Sequence, residues 1–301
     1  MFATRVDEGV YLLDTFALGH PNAIGAYVVK GSKVAIVDCG YPVTYQNVLL
    51  GLGEIGITPS EVNYIIPTHV HLDHGGAAGH LLKEMPNAQV IAQERAIPHL
   101  ADPSRLVDSA TQVFGKSAIE TYGVPAPIPR ERMTAVGEEM HLELGEGMTA
   151  TLMHTPGHAP HQISFMLERQ KVLITADAVG VIYPGTNTII PTTPPPSLDP
   201  KTLLDTMQRL SQFDAGSLLL PHFGVRRDPG MVFEGTRVKV TDWVERIGRM
   251  WKEGLSFDEI VERMLGELTR ETGGGVLPPY AKVTARTSVM GITHYLEKIN
   301  A

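Results

Sequence analysis

The stretch that most constrains the fold of this sequence is "YIIPTHVHLDHGG", from Tyr64 to Gly76. An apolar run typical of a buried strand ends there, and a cluster of three histidines and one aspartate follows within six positions: His69, His71, Asp73 and His74. Two glycines then begin a helical pattern. The chain therefore has to bring a strand end, a polar turn and a helix start together, and clusters of this type are selected for binding metal ions.

The spacing within the cluster divides it into two pairs. His69 and His71 are two positions apart, so on an extended segment their side chains point to the same side, as two ligands of one ion require. Asp73 and His74 are adjacent across the turn that leads into the helix, and they point towards a slightly displaced position. All four side chains would crowd a single ion.

Further side chains of the metal-binding type follow at other strand ends. His158 lies in a Pro-Gly turn before the strand of "HQISF", Asp177 ends the strand of "LITAD", and His222 follows the strand of "LLLP". A tetrahedral zinc ion uses four ligands including a water, so seven candidates predict two ions. A carboxylate can bridge two ions, and we assign the bridge to Asp177 because it stands between two turns that carry histidines.

Strands and helices alternate along the chain in two β-rich halves. We predict strands at 9–14, 24–29, 33–38, 62–67 and 88–93 in the first half, and at 139–144, 148–154, 162–167, 171–177 and 217–222 in the second. Helices are predicted at 44–55, 76–85 and 198–210. Two β-rich halves that are each followed by helices indicate two sheets packed face to face and covered outside by helices.

Two stretches depart from this alternation. The proline-rich segment 182–200 is predicted to be an ordered surface loop in extended conformation. From about Glu234 the pattern is helical, with a capping box at Ser256 and Glu259 and a flexible break at 273–280. We therefore expect a main domain at 1–230 and a helical extension at 231–301, which acts as a lid or makes a dimer contact.

Composition excludes several classes of protein. A formal net charge of −8 disfavours binding to nucleic acid, which depends on neutralisation of phosphates by Lys and Arg. The only cysteine, Cys39, cannot form an internal disulfide, and its burial as a small apolar side chain is expected rather than a role as nucleophile. The first residues lack a signal-peptide pattern, and no apolar run reaches about 18 residues. We expect a cytoplasmic enzyme for a small-molecule substrate, without a membrane partner.

The HxHxDH cluster, followed by "TPGH", "TADA" and "LPHFG", resembles the metallo-β-lactamase superfamily of binuclear hydrolases over about residues 9–225. The resemblance implies an αββα sandwich with the metals at one edge between the sheets. It implies one metal bound by His69, His71 and His158, a second bound by Asp73, His74 and His222, and Asp177 shared by both. Zinc is the expected ion, and manganese or iron are alternatives.

A reaction mechanism follows from two such ions. Cations about 3.5–4 Å apart hold a water between them and lower its pKa towards about 7, which gives a hydroxide that attacks a carbonyl or phosphoryl centre. Asp73 is the candidate catalytic residue, because it can orient the hydroxide or move its proton. Asp38, in "IVDCG", either orients a ligand histidine or caps a strand end, and the sequence leaves both open.

The glycines after His74 and the "TPGHAPHQ" turn are similar to those of glyoxalase II-like thioesterases and acyl-homoserine lactonases. This chain departs from the lactonases, since "AVGV" follows Asp177 where they carry a tyrosine, and its first tyrosine there is Tyr183. Flavodiiron oxidoreductases carry Glu at the position of His71. We predict a permissive hydrolase of carboxylic esters, lactones or thioesters. The alternatives are a phosphodiesterase or phosphotriesterase on the same site and a mononuclear iron persulfide dioxygenase-like enzyme. Substrate-binding residues are not assigned.

Overall fold

The computed structural model describes residues 1–182 and 187–300, so Tyr183 lies outside the described residues. The chain forms two compact units. The sheet unit comprises Met1–Thr155, His161–Ala176 and Asp214–Arg227, and the helical unit comprises Pro156–Pro160, Asp177–Phe213 and Asp228–Ala301. The expected division into domains at 1–230 and 231–301 stays a prediction.

The first sheet of the sheet unit has seven strands that follow one another in chain order. They are β1 (Ala3–Asp7), β2 (Val10–Asp14), β3 (Gly25–Lys30), β4 (Val34–Val37), β5 (Val62–Ile66), β6 (Gln89–Gln93) and β7 (Met133–Val136). Pairing is antiparallel from β1 to β4 and parallel from β4 to β7. Parallel neighbours need crossover connections. These contain α1 (Tyr45–Glu54), α2 (Ala78–Glu84), α3 (Ile97–Ala101), α4 (Ser104–Phe114) and α5 (Lys116–Tyr122).

The second sheet has six strands: β8 (Glu139–Gly145), β9 (Met148–His154), β10 (Ile163–Leu167), β11 (Val172–Ile174), β14 (Ser217–Leu219) and β15 (Val225–Arg226). Their order across the sheet is β15, β14, β11, β10, β9, β8. Strand β11 pairs in parallel with β14, and the other pairs are antiparallel. Strands β11 and β14 are shorter than the predicted runs 171–177 and 217–222, and the residues that follow them are turns.

Alternation of side chains along the strands produces two apolar cores in the sheet unit. In β3, Ala26 and Val28 lie in the core under α1 and α2, whereas Tyr27 and Val29 lie in the core shared with the second sheet. The Tyr27 hydroxyl donates across this second core to Leu220 O at 2.7 Å. The prediction of two sheets packed face to face, with helices outside the first, is confirmed.

The helical unit contains β12 (Val181–Ile182), β13 (Ile189–Ile190), α6 (Pro200–Leu210), α7 (Pro229–Lys252), α8 (Phe257–Glu271) and α9 (Pro279–Asn300). The predicted start of α6 is confirmed, since Asp199 accepts a hydrogen bond from Thr202 N at 3.0 Å. The capping box of Ser256 and Glu259 is also present. Within the described ranges, no helix has the length and apolarity to cross a bilayer. The cytoplasmic location and a homodimer stay predictions.

The expectation of a surface loop at 182–200 is wrong for part of that segment. Residues 189–193 are buried, and Ile189 and Ile190 form β13, which pairs with β12. The physical reason is that α7 and α9 both pack against β13 within the helical unit. Helices α3 to α5 and strands β1, β7 and β15 are further elements that the sequence patterns did not reveal.

We expect Gly79→Ala to destabilise the sheet unit. A Cβ on Gly79 in α2 would lie 2.0 Å from Ala126 O, so the backbone would have to move, at a cost of about 1–3 kcal/mol in unfolding free energy. Gly53→Ala in α1 is the matched control, because nothing lies within 4 Å of its added methyl. The control should raise the unfolding free energy by up to about 1 kcal/mol. Equal melting temperatures for the two variants in thermal unfolding would contradict the close contact.

Candidate metal centre

The clustered histidines lie in a turn between β5 and α2. His69 and His74 are fully buried, whereas His71 and Asp73 are partly exposed. The ring atoms His69 Nε2 and His71 Nδ1 are 3.0 Å apart, and His74 Nε2 lies 3.7 Å from Asp73 Oδ2. The turn therefore brings each predicted pair of side chains together, with ring nitrogens and a carboxylate oxygen as neighbours.

Asp38, which directly follows β4, holds this turn in place. Its Oδ1 accepts hydrogen bonds from Thr68 N and Thr68 Oγ1, both at 2.8 Å, and its Oδ2 lies 3.0 Å from His74 Nδ1. A carboxylate oxygen accepts, so Nδ1 of His74 donates, and Nε2 is the ring atom left to bind a metal ion. Of the two roles that the sequence left open for Asp38, the structure therefore shows the orientation of a candidate ligand histidine.

His158 and Asp177 lie together in the helical unit. His158 Nδ1 donates to Thr192 O at 2.9 Å, which turns Nε2 away from this carbonyl, and Nε2 is 3.5 Å from Asp177 Oδ2. Both side chains are almost fully buried. The His158 ring is thus oriented by a backbone carbonyl in the way that a carboxylate orients His74.

In the sheet unit, the structure brings Asp73, His74 and His222 together, with one nitrogen or oxygen atom of each within 4.8 Å of the others. The rings of His74 and His222 are 5.4 Å apart, and the ring of His69 is 4.0 Å from that of His74. In the helical unit, the other two predicted ligands, His158 and Asp177, are neighbours. The role of these residues as metal ligands stays a prediction.

The chemistry of the donors fits divalent metal ions. Imidazole nitrogen and carboxylate oxygen suit zinc, manganese and iron. Two nitrogens that bind one zinc ion tetrahedrally at about 2.0–2.1 Å lie roughly 3.3 Å apart, close to the 3.0 Å between His69 and His71. Protons on Nδ1 of His74 and His158, held by Asp38 and Thr192 O, leave Nε2 as the donor atom. The residues present therefore fit the metal ions that the superfamily resemblance implies.

Two more histidines lie beside these groups. The ring of His161 is buried, and its centroid is 6.3 Å from that of His69 and 6.1 Å from that of His71. The ring centroid of His99 is 5.9 Å from that of His161. Burial of His99 and, to a smaller extent, the charge of Arg105 lower the pKa of its ring. The sequence spacing gave no reason to place His99 here, because it belongs to α3, a helix that the patterns did not reveal.

An aromatic pair near Asp73 has no signal in the sequence. Tyr41 and Tyr122 stack with ring centroids 4.7 Å apart, and both pack against an apolar cluster of Leu72, Ala110 and Ile119, in which Leu72 is the residue before Asp73. Burial and then the charge of Asp73 raise the pKa of both phenols. Both hydroxyls therefore stay protonated at neutral pH. The two tyrosines are about 80 positions apart in the chain, so no local motif joins them.

The two packed sheets, and the histidines and aspartates at the ends of their strands, are features of the metallo-β-lactamase fold, which is followed here by a C-terminal helical region. The family model described as "Metallo-beta-lactamase superfamily" matches residues 22–222, about two thirds of the chain. The chain belongs to this superfamily. Most of its members are hydrolases, and some are oxidoreductases.

Three known proteins are similar to this chain. A metallo-beta-lactamase fold-containing protein of Sulfurisphaera tokodaii is 26% identical over 206 residues, which cover 67% of this chain and 73% of that protein. The N-acyl homoserine lactonase AttM of Azorhizobium caulinodans is 26% identical over 181 residues, covering 56% of this chain and 64% of the lactonase. The crystal structure of a metallo-beta-lactamase family protein of Thermus thermophilus matches with a TM-score of 0.72 and 21% sequence identity, and the match covers 98% of this chain and 95% of that protein. At that identity the structural likeness shows the fold alone.

We expect Asp38→Asn to weaken metal binding more than it weakens the fold. The amide NH2 would face His74 Nδ1 and favour the tautomer with the proton on Nε2, which removes the donor atom. Removing such a partner costs about 10–100-fold in metal affinity, to be measured by zinc competition with a chromogenic chelator. Asp14→Asn is the control, because Asp14 also accepts two backbone hydrogen bonds in a turn, from Phe16 N and Asn22 N. Equal zinc affinity in both variants would contradict this role of Asp38.

We expect the Cys39 thiol to react with Ellman's reagent only when the chain unfolds. Its side chain is 0% exposed, and burial, followed by the charge of Asp38, raises the pKa of the thiol. A neutral and inaccessible thiol is a poor nucleophile. Native protein should therefore stay unlabelled over hours, whereas protein in denaturant should be labelled at once. Rapid labelling of the native protein would show that the residue is accessible.

Proposed function

We propose that this protein is a hydrolase that uses two divalent metal ions to cleave carboxylic esters, lactones or thioesters of small molecules. Zinc is the proposed ion, and manganese or iron are the alternatives. His69, His71 and His158 would hold one ion, and Asp73, His74 and His222 the other. Asp177 would be shared. The substrate range is proposed to be broad, and the proposed location is the cytoplasm.

Two neighbouring sets of donor atoms in the sheet unit carry this proposal. His69 Nε2 and His71 Nδ1 are 3.0 Å apart, and one donor atom each of Asp73, His74 and His222 lies within 4.8 Å of the others. The rings of His69 and His74, which belong to different sets, are 4.0 Å apart. Asp177 would supply the shared carboxylate. Two adjacent ions are a recurring arrangement in hydrolytic sites.

When bound, the two ions would lower the pKa of a shared water towards about 7 and polarise the substrate oxygen. The chain's own residues do the rest. Asp38 and Thr192 O fix the rings of His74 and His158, so those donor atoms need no reorganisation. The Asp73 side chain is 22% exposed, so its carboxylate can reach a water or substrate, orient the water and accept a proton.

Two observations support a carbonyl substrate. The similar protein AttM is named as an N-acyl homoserine lactonase, so the related sequence serves lactone hydrolysis there. In this chain, Tyr41 and Tyr122 stack on each other and both feel the charge of Asp73, and a phenol hydroxyl can donate a hydrogen bond to a carbonyl or carboxyl oxygen.

The test is a substrate panel on wild type and on Asp177→Ala. Zinc-loaded protein is assayed with a thioester, a homoserine lactone, p-nitrophenyl acetate and bis-p-nitrophenyl phosphate, and bound zinc is counted by mass spectrometry. We expect two zinc ions per chain and turnover of one or more carbonyl substrates. Asp177→Ala should lower kcat/KM at least about a hundredfold, because it removes a metal donor rather than a partner of one.

Asp108→Ala is the control, because Asp108 is an exposed aspartate on α4, and it should leave the panel unchanged. Activity that survives Asp177→Ala would overturn the assignment of the shared carboxylate. Turnover of the phosphodiester alone would move the substrate class to phosphodiesters. A single bound iron with sulfur-dependent oxygen uptake would overturn the hydrolase in favour of a dioxygenase.

A further inference from the structure

The helix α9 makes an unusually close backbone contact with the segment 191–194. A Cβ at Gly291, in the middle of α9, would lie 1.9 Å from Thr193 O and 2.6 Å from Pro194 C. Glycine weakens a helix interior relative to alanine. At this position only glycine lets the helix backbone approach so closely, so the contact accounts for a residue that helix propensity disfavours.

A serine one turn earlier on α9 binds the same segment through hydrogen bonds. Ser288 Oγ donates to Pro191 O and accepts from Thr193 N at 3.2 Å, and Thr193 Oγ1 donates to Ser288 O at 3.3 Å. Ser288 and Thr193 are both fully buried. The backbone is therefore held on both sides of Thr192, with little freedom for the peptide between these contacts.

Thr192 in turn contacts both predicted ligands of the helical unit. Its carbonyl oxygen accepts the hydrogen bond from His158 Nδ1 at 2.9 Å. Its hydroxyl lies 3.1 Å from Asp177 O and 3.2 Å from Val179 O, and it donates to these carbonyls. A displacement of the Thr192 peptide would therefore turn the His158 ring and change the position of its Nε2.

We propose that α9 is a positioning element for the metal centre: Gly291 and Ser288 fix the Thr192 carbonyl, and through it the donor atom of His158. This inference rests on the proposed role of His158 as a ligand. It gives the C-terminal helices a function that differs from a lid or a dimer contact, because the contact has to stay closed for the ligand to stay in place. Gly291 and Ser288 touch neither ion nor substrate in this proposal.

The test compares two glycine-to-alanine changes in neighbouring helices. Gly291→Ala should weaken the binding of one zinc ion about 10–100-fold, measured by isothermal calorimetry well below the melting temperature, and leave the other unchanged. Ser288→Ala should act in the same direction with a smaller change, because it removes hydrogen bonds without adding bulk. Gly266→Ala in α8 is the control, since its added methyl would meet only Arg270 Nη1 at 3.8 Å. It should keep both affinities and not lower the melting temperature.

A double-mutant cycle separates positioning from a merely structural role. In a His222→Ala background, the remaining tight zinc belongs to the His158 group, and Gly291→Ala should weaken it by the same factor. In a His158→Ala background, Gly291→Ala should change the affinity for the remaining ion by less than twofold. A fall in melting temperature without a change in zinc affinity would overturn the proposal, as would equal effects in both backgrounds.

The outcome for α9 is distinguishable from the outcome for the proposed function. If the wild type binds a single zinc ion or turns over no carbonyl substrate, the binuclear hydrolase fails. The positioning role is then still decided by whether the affinity for that zinc ion responds to Gly291→Ala and Ser288→Ala. If Gly291→Ala does not fold, Ser288→Ala decides alone, and an unchanged affinity in that variant overturns the role of α9.

Discussion

The carboxylate of Asp38 is the interaction on which the arrangement of the candidate site depends. One oxygen accepts both polar hydrogens of Thr68 and the other accepts the Nδ1 proton of His74, so one side chain fixes the start and the end of the histidine turn. Asp38 itself adopts a left-handed backbone conformation, with φ of 60°, which aspartate tolerates better than most residues. The turn is further tied by the hydrogen bond from Cys39 N to His74 O at 2.8 Å.

The rest of the sheet unit supports this fixed point. Strands β4 and β5 are parallel neighbours, so their carboxyl ends lie at the same edge of the sheet, and Asp38 and Thr68 meet there. Their side chains are buried, where an unpaired carboxylate would be costly. Three hydrogen bonds satisfy it. The polar network is therefore a requirement of burial as well as a means of aiming a histidine.

The candidate ligands could be identified in the sequence because residue type and position along the chain indicate their chemistry. His and Asp at strand ends are rare enough to be noticed, and His158, Asp177 and His222 each follow or precede a recognisable apolar run. The oriented carbonyl of Thr192 could not be found in the same way, because a backbone atom leaves no signal in the sequence. Tyr41 and Tyr122 were missed because they meet only through tertiary packing.

The fold was predictable where apolar runs were long and regular. Both sheets and the caps at Asp199 and Ser256 follow from local patterns. Strands β1 and β7 are edge strands with exposed residues, so their alternation is weak. The segment at 189–193 was read as a surface loop because prolines surround it, yet two isoleucines and two threonines are buried there. Proline interrupts regular backbone hydrogen bonding, but it does not prevent a segment from being buried. The prediction of a surface loop was wrong for this reason.

The group of Asp73, His74 and His222 joins side chains about half the chain apart in sequence. No fragment of a growing chain that lacks residue 222 contains this group, so an ion cannot be captured there during early synthesis. If these residues hold a metal, uptake follows folding, and the free energy of binding adds to the stability of the folded state. A cell poor in the metal would then hold a less stable protein as well as an inactive one, and chelation would favour its turnover.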